Sequence, residues 1–331
     1  MKKRRRLSYW SLVARQFRRN RLARPALAVV LLLFAVALAA PFLAGETPVY
    51  MVMDGRTYIF PNVINYRELV NADFESWKPG DGEYALRPLI QYDPDHSNLR
   101  DRLQGPTAKH WLGTDDRGRD VLARLIWGTR ISMSVGFIAV GIAVFIGIFV
   151  GAFAGFYGGI VDLAVQRIIE IVMCFPTFIL ILSLIAFLPP SIYNIMVVIG
   201  ITGWTGVARL IRGEFLRLRE SDFSVAARAT GLTDRRIMFR HLLPNALSPV
   251  LVSATFGVAG AILTESALSF LGFGVPPPTP SWGELLSQSQ RFIDRAWWLV
   301  TFPGLAIFIT VTAFNLVGEG LRDAMDPRLR Q

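Results

Sequence analysis

Five stretches of this chain contain no charged residue: 25–45, 131–161, 171–208, 242–264 and 296–318. A helix rises about 1.5 Å per residue and the hydrocarbon core of a bilayer is about 30 Å thick, so about 20 apolar residues cross it. The first, fourth and fifth stretches each supply one crossing. The second is long for one crossing and rich in glycine, so it reads as one helix followed by a tight Gly turn at Gly158-Gly159. The third is too long for a single helix and divides at Pro189-Pro190. Six spans result. Helices of soluble proteins average about 11–12 residues and carry a polar stripe, which these runs lack. The expected fold is therefore an all-α integral membrane protein of six transmembrane helices.

The charge of the chain, +10 overall, is distributed unevenly. Residues 1–24 hold ten basic residues and no acid, beginning with Lys2, Lys3, Arg4, Arg5 and Arg6. Residues 45–130 hold 11 basic and 13 acidic residues, a net of 11 − 13 = −2. Residues 209–241 hold eight arginines against Glu214, Glu220, Asp222 and Asp234. Short basic flanks mark the cytoplasmic side of a membrane. The N-terminus and 209–241 are therefore expected inside and 45–130 outside. Six spans return the C-terminus, with Arg322, Arg328 and Arg330, to the inside. The boundaries that follow are a basic amphipathic segment at 1–24, a first span at 25–45 and an external segment at 46–130. A five-helix core at 131–319 with a cytoplasmic loop at 209–245 comes next, then a tail at 320–331.

Residues 7–24 read as a helix whose apolar side is Trp10, Leu12, Val13 and Phe17, lying on anionic membrane lipid. The long basic start and long apolar run favour an uncleaved first span over a signal peptide. In the external segment, Asp54-Gly55 between apolar runs predicts a hairpin, within a small β-containing lobe or ordered loop. Thr114 is expected to cap a helix with Asp115 and Asp116 in its first turn. Composition favours a solvated helix there, with Asp120–Arg124 an ordinary i,i+4 pair. The proline-rich stretch 276–280 is expected to be extended, with a helix after it from Ser281-Trp282. Trp297 and Trp298 suit an interfacial aromatic belt.

Charged residues within or beside spans face protein or water rather than lipid. Glu265 and Glu170 are thus candidates for a transport path or a subunit interface. Glu170 has a local partner three residues away in Arg167, while Glu265 has none. The lone cysteine, Cys174, reads as a packing residue, and His96, His110 and His241 are too scattered for a metal motif. No catalytic residue and no metal site is expected. The four lysines, Lys2, Lys3, Lys78 and Lys109, follow no glycine, so a phosphate-cradling P-loop is absent.

The segment 221–250 stands apart from the oil around it. Ser221 and Asp222 begin a short helix, Gly231 stops it, and Thr233 begins a second helix running to about Leu243 before Pro244. Two short helices at an angle, with small residues Ala226, Ala227 and Ala229, suit close approach by a soluble partner and transmission of its movement. A helix-turn-helix DNA reader would need a surrounding soluble bundle, so nucleic acid is not an expected partner.

These residues resemble the cytoplasmic loop of the permeases of binding-protein-dependent ABC importers, whose pattern is E-A-A, three residues, G, nine residues, I-x-L-P. Here Ala226-Ala227, Gly231 and His241-Leu242-Leu243-Pro244 keep the spacing, with Val225 in place of the Glu and His241 in place of the Ile. The stretches from His110 to Ser132, from Glu265 to Gly274 and from Glu319 to Arg328 are similar to the peptide/nickel permeases, specifically the C-type subunit. The long insert at about 45–95 is similar to a subgroup handling oligopeptides or microcin-C-like peptides. The resemblance implies a type I ABC-importer architecture in a bacterial inner membrane. It implies an ATPase-coupling loop carrying Ala226, Ala227, Arg228, Gly231, His241, Leu243 and Pro244. The implied partners are a second homologous permease, two ATP-binding subunits that carry ATP and Mg, and an external substrate-binding protein. No cofactor is expected on this chain. An ion-coupled secondary transporter and a non-transporting receptor or scaffold are the alternative classes.

Overall fold

The computed structural model describes residues 9–64, 66–69, 72, 74, 77, 79–80 and 82–326. Lys2, Lys3, Arg4, Arg5, Arg6, Lys78, Arg328 and Arg330 lie outside the described residues. The helices in chain order are α1 (Tyr9–Arg19), α2 (Ala23–Leu43), α3 (Val121–Tyr157), α4 (Gly159–Met173), α5 (Thr177–Ala186) and α6 (Ile192–Arg219). They are followed by α7 (Asp222–Ala229), α8 (Asp234–Arg236), α9 (Leu243–Phe270), α10 (Trp282–Ser289) and α11 (Trp298–Met325). Among the described residues, five helical runs are long and apolar enough to cross a membrane. The pair α4 and α5, bent by 78° at the break before Pro176, supplies a sixth if it counts as one span. The predicted division of 171–208 at the proline pair holds: α5 ends at Ala186 and α6 starts at Ile192.

The chain divides into two compact units, residues 1–30, 135–264 and 309–331 in one and residues 31–134 and 265–308 in the other. In the first unit, α3 packs on α6 through Gly147, Gly151 and Gly155, one residue per turn. A Cβ on Gly151 would stand 2.3 Å from the Ala208 carbonyl oxygen, and one on Gly155 2.6 Å from Phe215 Cβ. Lipid tails are as apolar as leucine, so spans associate through close backbone approach and packing rather than through a hydrophobic drive. The core beside this seam is Ala152, Phe156, Val207, Ile211 and Phe215 from α3 and α6, with Ala227, Ile237, Leu242 and Ala246 from the segment that follows. Asp162 of α4 receives both a Nε–H and a Nη2–H bond from Arg212 of α6, a bidentate pair that fixes α4 on α6.

The basic N-terminal helix is partly a protein contact. Val13 is buried and Phe17 half-buried against Leu321, Ala324 and Met325 of α11, whereas Leu12 is exposed. Asn20 joins the elements: its Oδ1 accepts from the Leu22 and Ala23 N–H groups at the start of α2, and its Nδ2 reaches Asp323. The apolar side of α1 thus splits between protein and surroundings, rather than lying wholly on lipid.

In the second unit, the predicted hairpin is present. β1 (Tyr50–Met53) pairs antiparallel with β2 (Arg56–Ile59), with Met53 opposite Arg56, and Asp54 and Gly55 both at positive φ. β3 (Tyr84–Leu86) completes the sheet in the order β2-β1-β3. Met51, Tyr58 and Leu69 form its small core.

The structure departs from expectation at the start of α3, at Thr114, in the proline-rich stretch and at Trp298. Helix α3 begins at Val121, ten residues before the uncharged run, and its cap is Asp120, whose Oδ1 accepts from Ala123 N–H at 2.8 Å. Thr114 caps nothing; its hydroxyl donates to Asp101 O and accepts from Gln104 N–H in a loop. The proline-rich stretch turns at Pro277-Pro278 across a cis peptide bond instead of running extended, a form the tertiary X-Pro amide admits. Trp298 is 6 % exposed and donates to Thr114 O at 3.0 Å, so only Trp297 suits an interfacial belt.

Candidate functional site

The exposed segment that follows α6 is built from ordinary capping chemistry. Ser221 leads into α7 in extended backbone, and its hydroxyl donates back to Leu218 O. Asp222 stands in the first turn, where the helix dipole favours an anion. The end of α7 is a Schellman motif: Leu232 N–H donates to Ala227 O and Gly231 N–H to Arg228 O, with Gly231 at φ 75°. Open space surrounds the position of a Cβ on Gly231, so its glycine is required by backbone conformation and not by crowding.

The two faces of α7 differ. Ser224 and Ala227 are buried against the unit's own core, while Phe223, Val225, Ala226, Arg228 and Ala229 are exposed. The three small residues therefore separate: Ala226 and Ala229 lie on the free face, and Ala227 belongs to the core. Arg228 also folds over the Phe156 ring, 5.4 Å from its centroid, a cation–π contact.

The second predicted helix does not end before Pro244. Thr233 starts it, its carbonyl accepting from the Arg236 and Ile237 N–H groups. After α8 the backbone widens into a π-helical turn over Ile237–Leu242, where Leu243 N–H donates to Met238 O, and it then continues as α9. The helical run is 37 residues, Asp234–Phe270, or about 55 Å at 1.5 Å per residue. Proline lacks the N–H that would pair with Arg240 O, and its ring crowds the preceding turn. A widened turn supplies that room. His241 and Leu243 are half-buried in and after this turn, and Pro244 is exposed. Ile237, Met238 and Leu242 are fully buried in the core under α7. Thr233, Arg235, Arg236, Phe239, Arg240 and Pro244 line an open concavity of about 480 Å³ beside the segment.

The two glutamates singled out in the sequence lie in contrasting settings. Glu170 is exposed and pairs with Arg167 at 2.7 Å. Glu265 is completely buried near the end of α9. Its Oε1 accepts from Ser269 Oγ at 2.7 Å and from Ser281 Oγ at 2.8 Å, while its Oε2 has no hydrogen-bond partner among the described residues. Ser281 is also the cap of α10, accepting from Glu284 N–H. Glu265 therefore ties the loop 271–281 back to α9 within this chain.

Of the charges expected on a solvated helix after Thr114, Asp115, Arg119, Asp120 and Arg124 are buried in a network instead, while Arg117 is exposed. Asp115 accepts from Arg117 N–H, Arg119 N–H and Arg119 Nε–H. Arg124, 0 % exposed, donates to Glu284 Oε2 at 2.7 Å and to Pro94 O at 3.0 Å, and lies 3.6 Å from Asp115. Arg119 reaches Gln288 Oε1. His110 Nδ1 lies 2.9 Å from Asp120 Oδ2 and its ring packs on Tyr92. Asp120 therefore does not pair with Arg124. Burial pushes the Glu284 carboxyl up, against the lowering pull of the Arg124 and Arg119 guanidiniums. Gly118 permits the tight loop, at φ 73° and with Asn98 O where a Cβ would stand. The dense Asp-Asp-Arg-Gly-Arg-Asp run was the available signal: Arg119 pairs with Asp115 at i,i+4, but the Arg119–Gln288, Arg124–Glu284 and His110–Asp120 contacts join positions that helical spacing does not display. Among the described residues no group of three or more His, Cys, Asp or Glu side chains is arranged to hold a metal ion.

Comparison with known proteins places this geometry in context. Residues 143–331 match the family model described as "Binding-protein-dependent transport system inner membrane component", and residues 8–61 match the "N-terminal TM domain of oligopeptide transport permease C". The chain is 45% identical over 234 residues to the dipeptide transport system permease protein DppC of Alkalihalophilus pseudofirmus, covering 71% of this chain and 77% of the relative. It is 47% identical over 250 residues to DppC of Escherichia coli (strain K12), covering 73% and 83%. Among solved structures, an inward-facing form of the MetNI methionine ABC transporter is similar in fold, with a TM-score of 0.50 and 20% identity over 61% of this chain and 97% of that one.

Proposed function

Because the chain belongs to the binding-protein-dependent transport system inner membrane components, a family of multi-pass membrane proteins, we propose that it is one permease of an ATP-driven importer of di- and oligopeptides. It forms half of a translocation path. A second homologous permease forms the other half, two ATP-binding subunits hold ATP and Mg, and an external binding protein delivers the peptide. The peptide assignment rests on the two dipeptide permeases to which the chain is 45% and 47% identical.

The observation that carries the coupling role is the joint between α7 and the 37-residue helical run. The exposed face of α7, with Phe223, Val225, Ala226 and Ala229, is the surface that enters a cleft of an ATP-binding subunit. Closure of the two ATP-binding subunits moves α7. Its buried face shares a core with Ile237, Met238 and Leu242, so the movement passes into α9 without an intervening loop. The basic clusters at 1–24 and 209–241 put this joint on the cytoplasmic side, with the β-sheet lobe outside. Access to the path then switches between two arrangements of the helices, each favoured by a different nucleotide state.

Reconstitution tests the assignment. Proteoliposomes holding this chain, its partner permease and the ATP-binding subunits are expected to accumulate a dipeptide only with binding protein outside and ATP inside. Uptake by this chain alone, driven by an ion gradient, would contradict it.

A further inference from the structure

The small sheet of the second unit is charged at one end and apolar at the other. Its hairpin tip carries Asp54 and Arg56, with Glu83 accepting from Asp54 N–H. At the opposite end Ile59, Tyr50 and Leu86 stand in one row, because Tyr50 pairs with Ile59 on one side and with Leu86 on the other. Residues directly paired across strands share a face, and it is the face opposite to Met51 and Tyr58 of the core. The apolar end continues into the turn after β2. Ile59, Phe60, Val63 and Ile64 are 53, 46, 55 and 48 % exposed. Single exposed apolar residues are ordinary, but a contiguous patch bordered by charge marks a contact with protein or membrane.

The turn is built to hold these side chains beside the end of the first span. Phe60 has φ 53°, rare for a bulky residue. Its N–H donates to Val49 O, and its carbonyl accepts from the Val63 and Ile64 N–H groups. Its ring meets Phe42 of α2 edge to face, with centroids 5.5 Å apart. Asn62 Nδ2 donates at 2.8 Å to Pro41 O, one of the last carbonyls of α2, which a helix cannot pair within itself. Leu31, Leu38 and Phe42 are exposed at helical spacing on one face of α2. The patch therefore prolongs the apolar stripe of a membrane span at the depth where that span ends.

We propose that the turn 59–64 is a membrane-interface anchor. Ile59, Phe60, Val63 and Ile64 enter the boundary between headgroups and acyl chains beside α2, while the charged hairpin tip stands in water. Lipid is the occupant because the patch is continuous with the stripe of α2, and aromatic and branched apolar side chains favour that boundary. The anchor holds the lobe down against the bilayer, whatever cargo the transporter carries.

The test uses the complete transporter in native membranes. The photoreactive residue p-benzoylphenylalanine, which inserts into nearby C–H bonds on irradiation, takes the place of Val63 or, separately, of Arg56. Both positions are exposed, and mass spectrometry reads the products. Phospholipid adducts are expected from position 63 at least tenfold above those from position 56. The same replacement at Ile64 repeats the reading from a neighbouring position and is expected to agree. Adducts from 63 and 64 to another protein subunit, no phospholipid adduct from either, or equal phospholipid adducts at 56 would overturn the anchor.

Discussion

Arg124 is a guanidinium that water does not reach, held between Glu284, Asp115 and a backbone carbonyl. Removing one partner of such a pair leaves the others charged and buried, at a cost of about 3–5 kcal/mol. Arg124→Met is therefore expected to lower the unfolding temperature of the purified protein by several degrees, and Arg124→Met with Glu284→Leu to recover part of the loss. Thermal melts that do not distinguish Arg124→Met from the parent would contradict the network. A second residue-scale consequence concerns Asp101, on which the Lys109 ammonium, 2.6 Å away, holds the carboxyl below its ordinary range. A lowered carboxyl contributes stability above the unfolded value of about 3.9, and that contribution is lost as pH falls through the lowered folded value. Amide exchange over 98–110 is expected to quicken only in strong acid, and Lys109→Gln to shift the onset to higher pH. An onset that Lys109→Gln leaves in place would count against the pair. Neither pairing was legible in the sequence. The partners Glu284 and Pro94 stand 160 and 30 positions from Arg124, and composition alone favoured water as the neighbour of each charge.

At the scale of elements, α7 was legible because its start and stop signals are local. Ser221, Asp222 and Gly231 act through their own backbone. Which alanine faces outward was not legible, since eight residues give only two turns and the answer depends on the core beneath. The faces predict distinct outcomes. Ala226→Arg places its side chain on the free face and is expected to leave the chain stable in the membrane while reducing co-purification of the ATP-binding subunits at least tenfold. Ala227→Arg drives a charge into the cluster with Phe215, Ile237 and Leu242 and is expected to reduce the amount of folded chain itself. Equal behaviour of the two variants in membrane abundance and in subunit recovery would contradict the assigned faces. Pro244 shows the opposite limit of local reading. As a helix breaker it predicted an end to the second helix, but the π-helical turn before it absorbs both the missing donor and the ring.

For the whole molecule, the uncharged runs located the spans because a bilayer demands length and apolarity together. They misplaced the beginning of α3 by ten residues, since Arg124 and Arg130 continue a helix in which one is buried by protein partners. The bend between α4 and α5 was likewise hidden, because Pro176 sits in a run that hydropathy alone reads as continuous. The central claim is that α7 meets an ATP-binding subunit on the cytoplasmic side. Cys174 is the chain's single cysteine, so Cys174→Ser with Ala226→Cys leaves one thiol on the exposed face of α7. Labelling of that thiol with a membrane-impermeant maleimide is the direct measurement. The account predicts no labelling in intact cells, labelling in inverted membranes stripped of the ATP-binding subunits, and protection when those subunits are restored. Labelling from outside intact cells would contradict it.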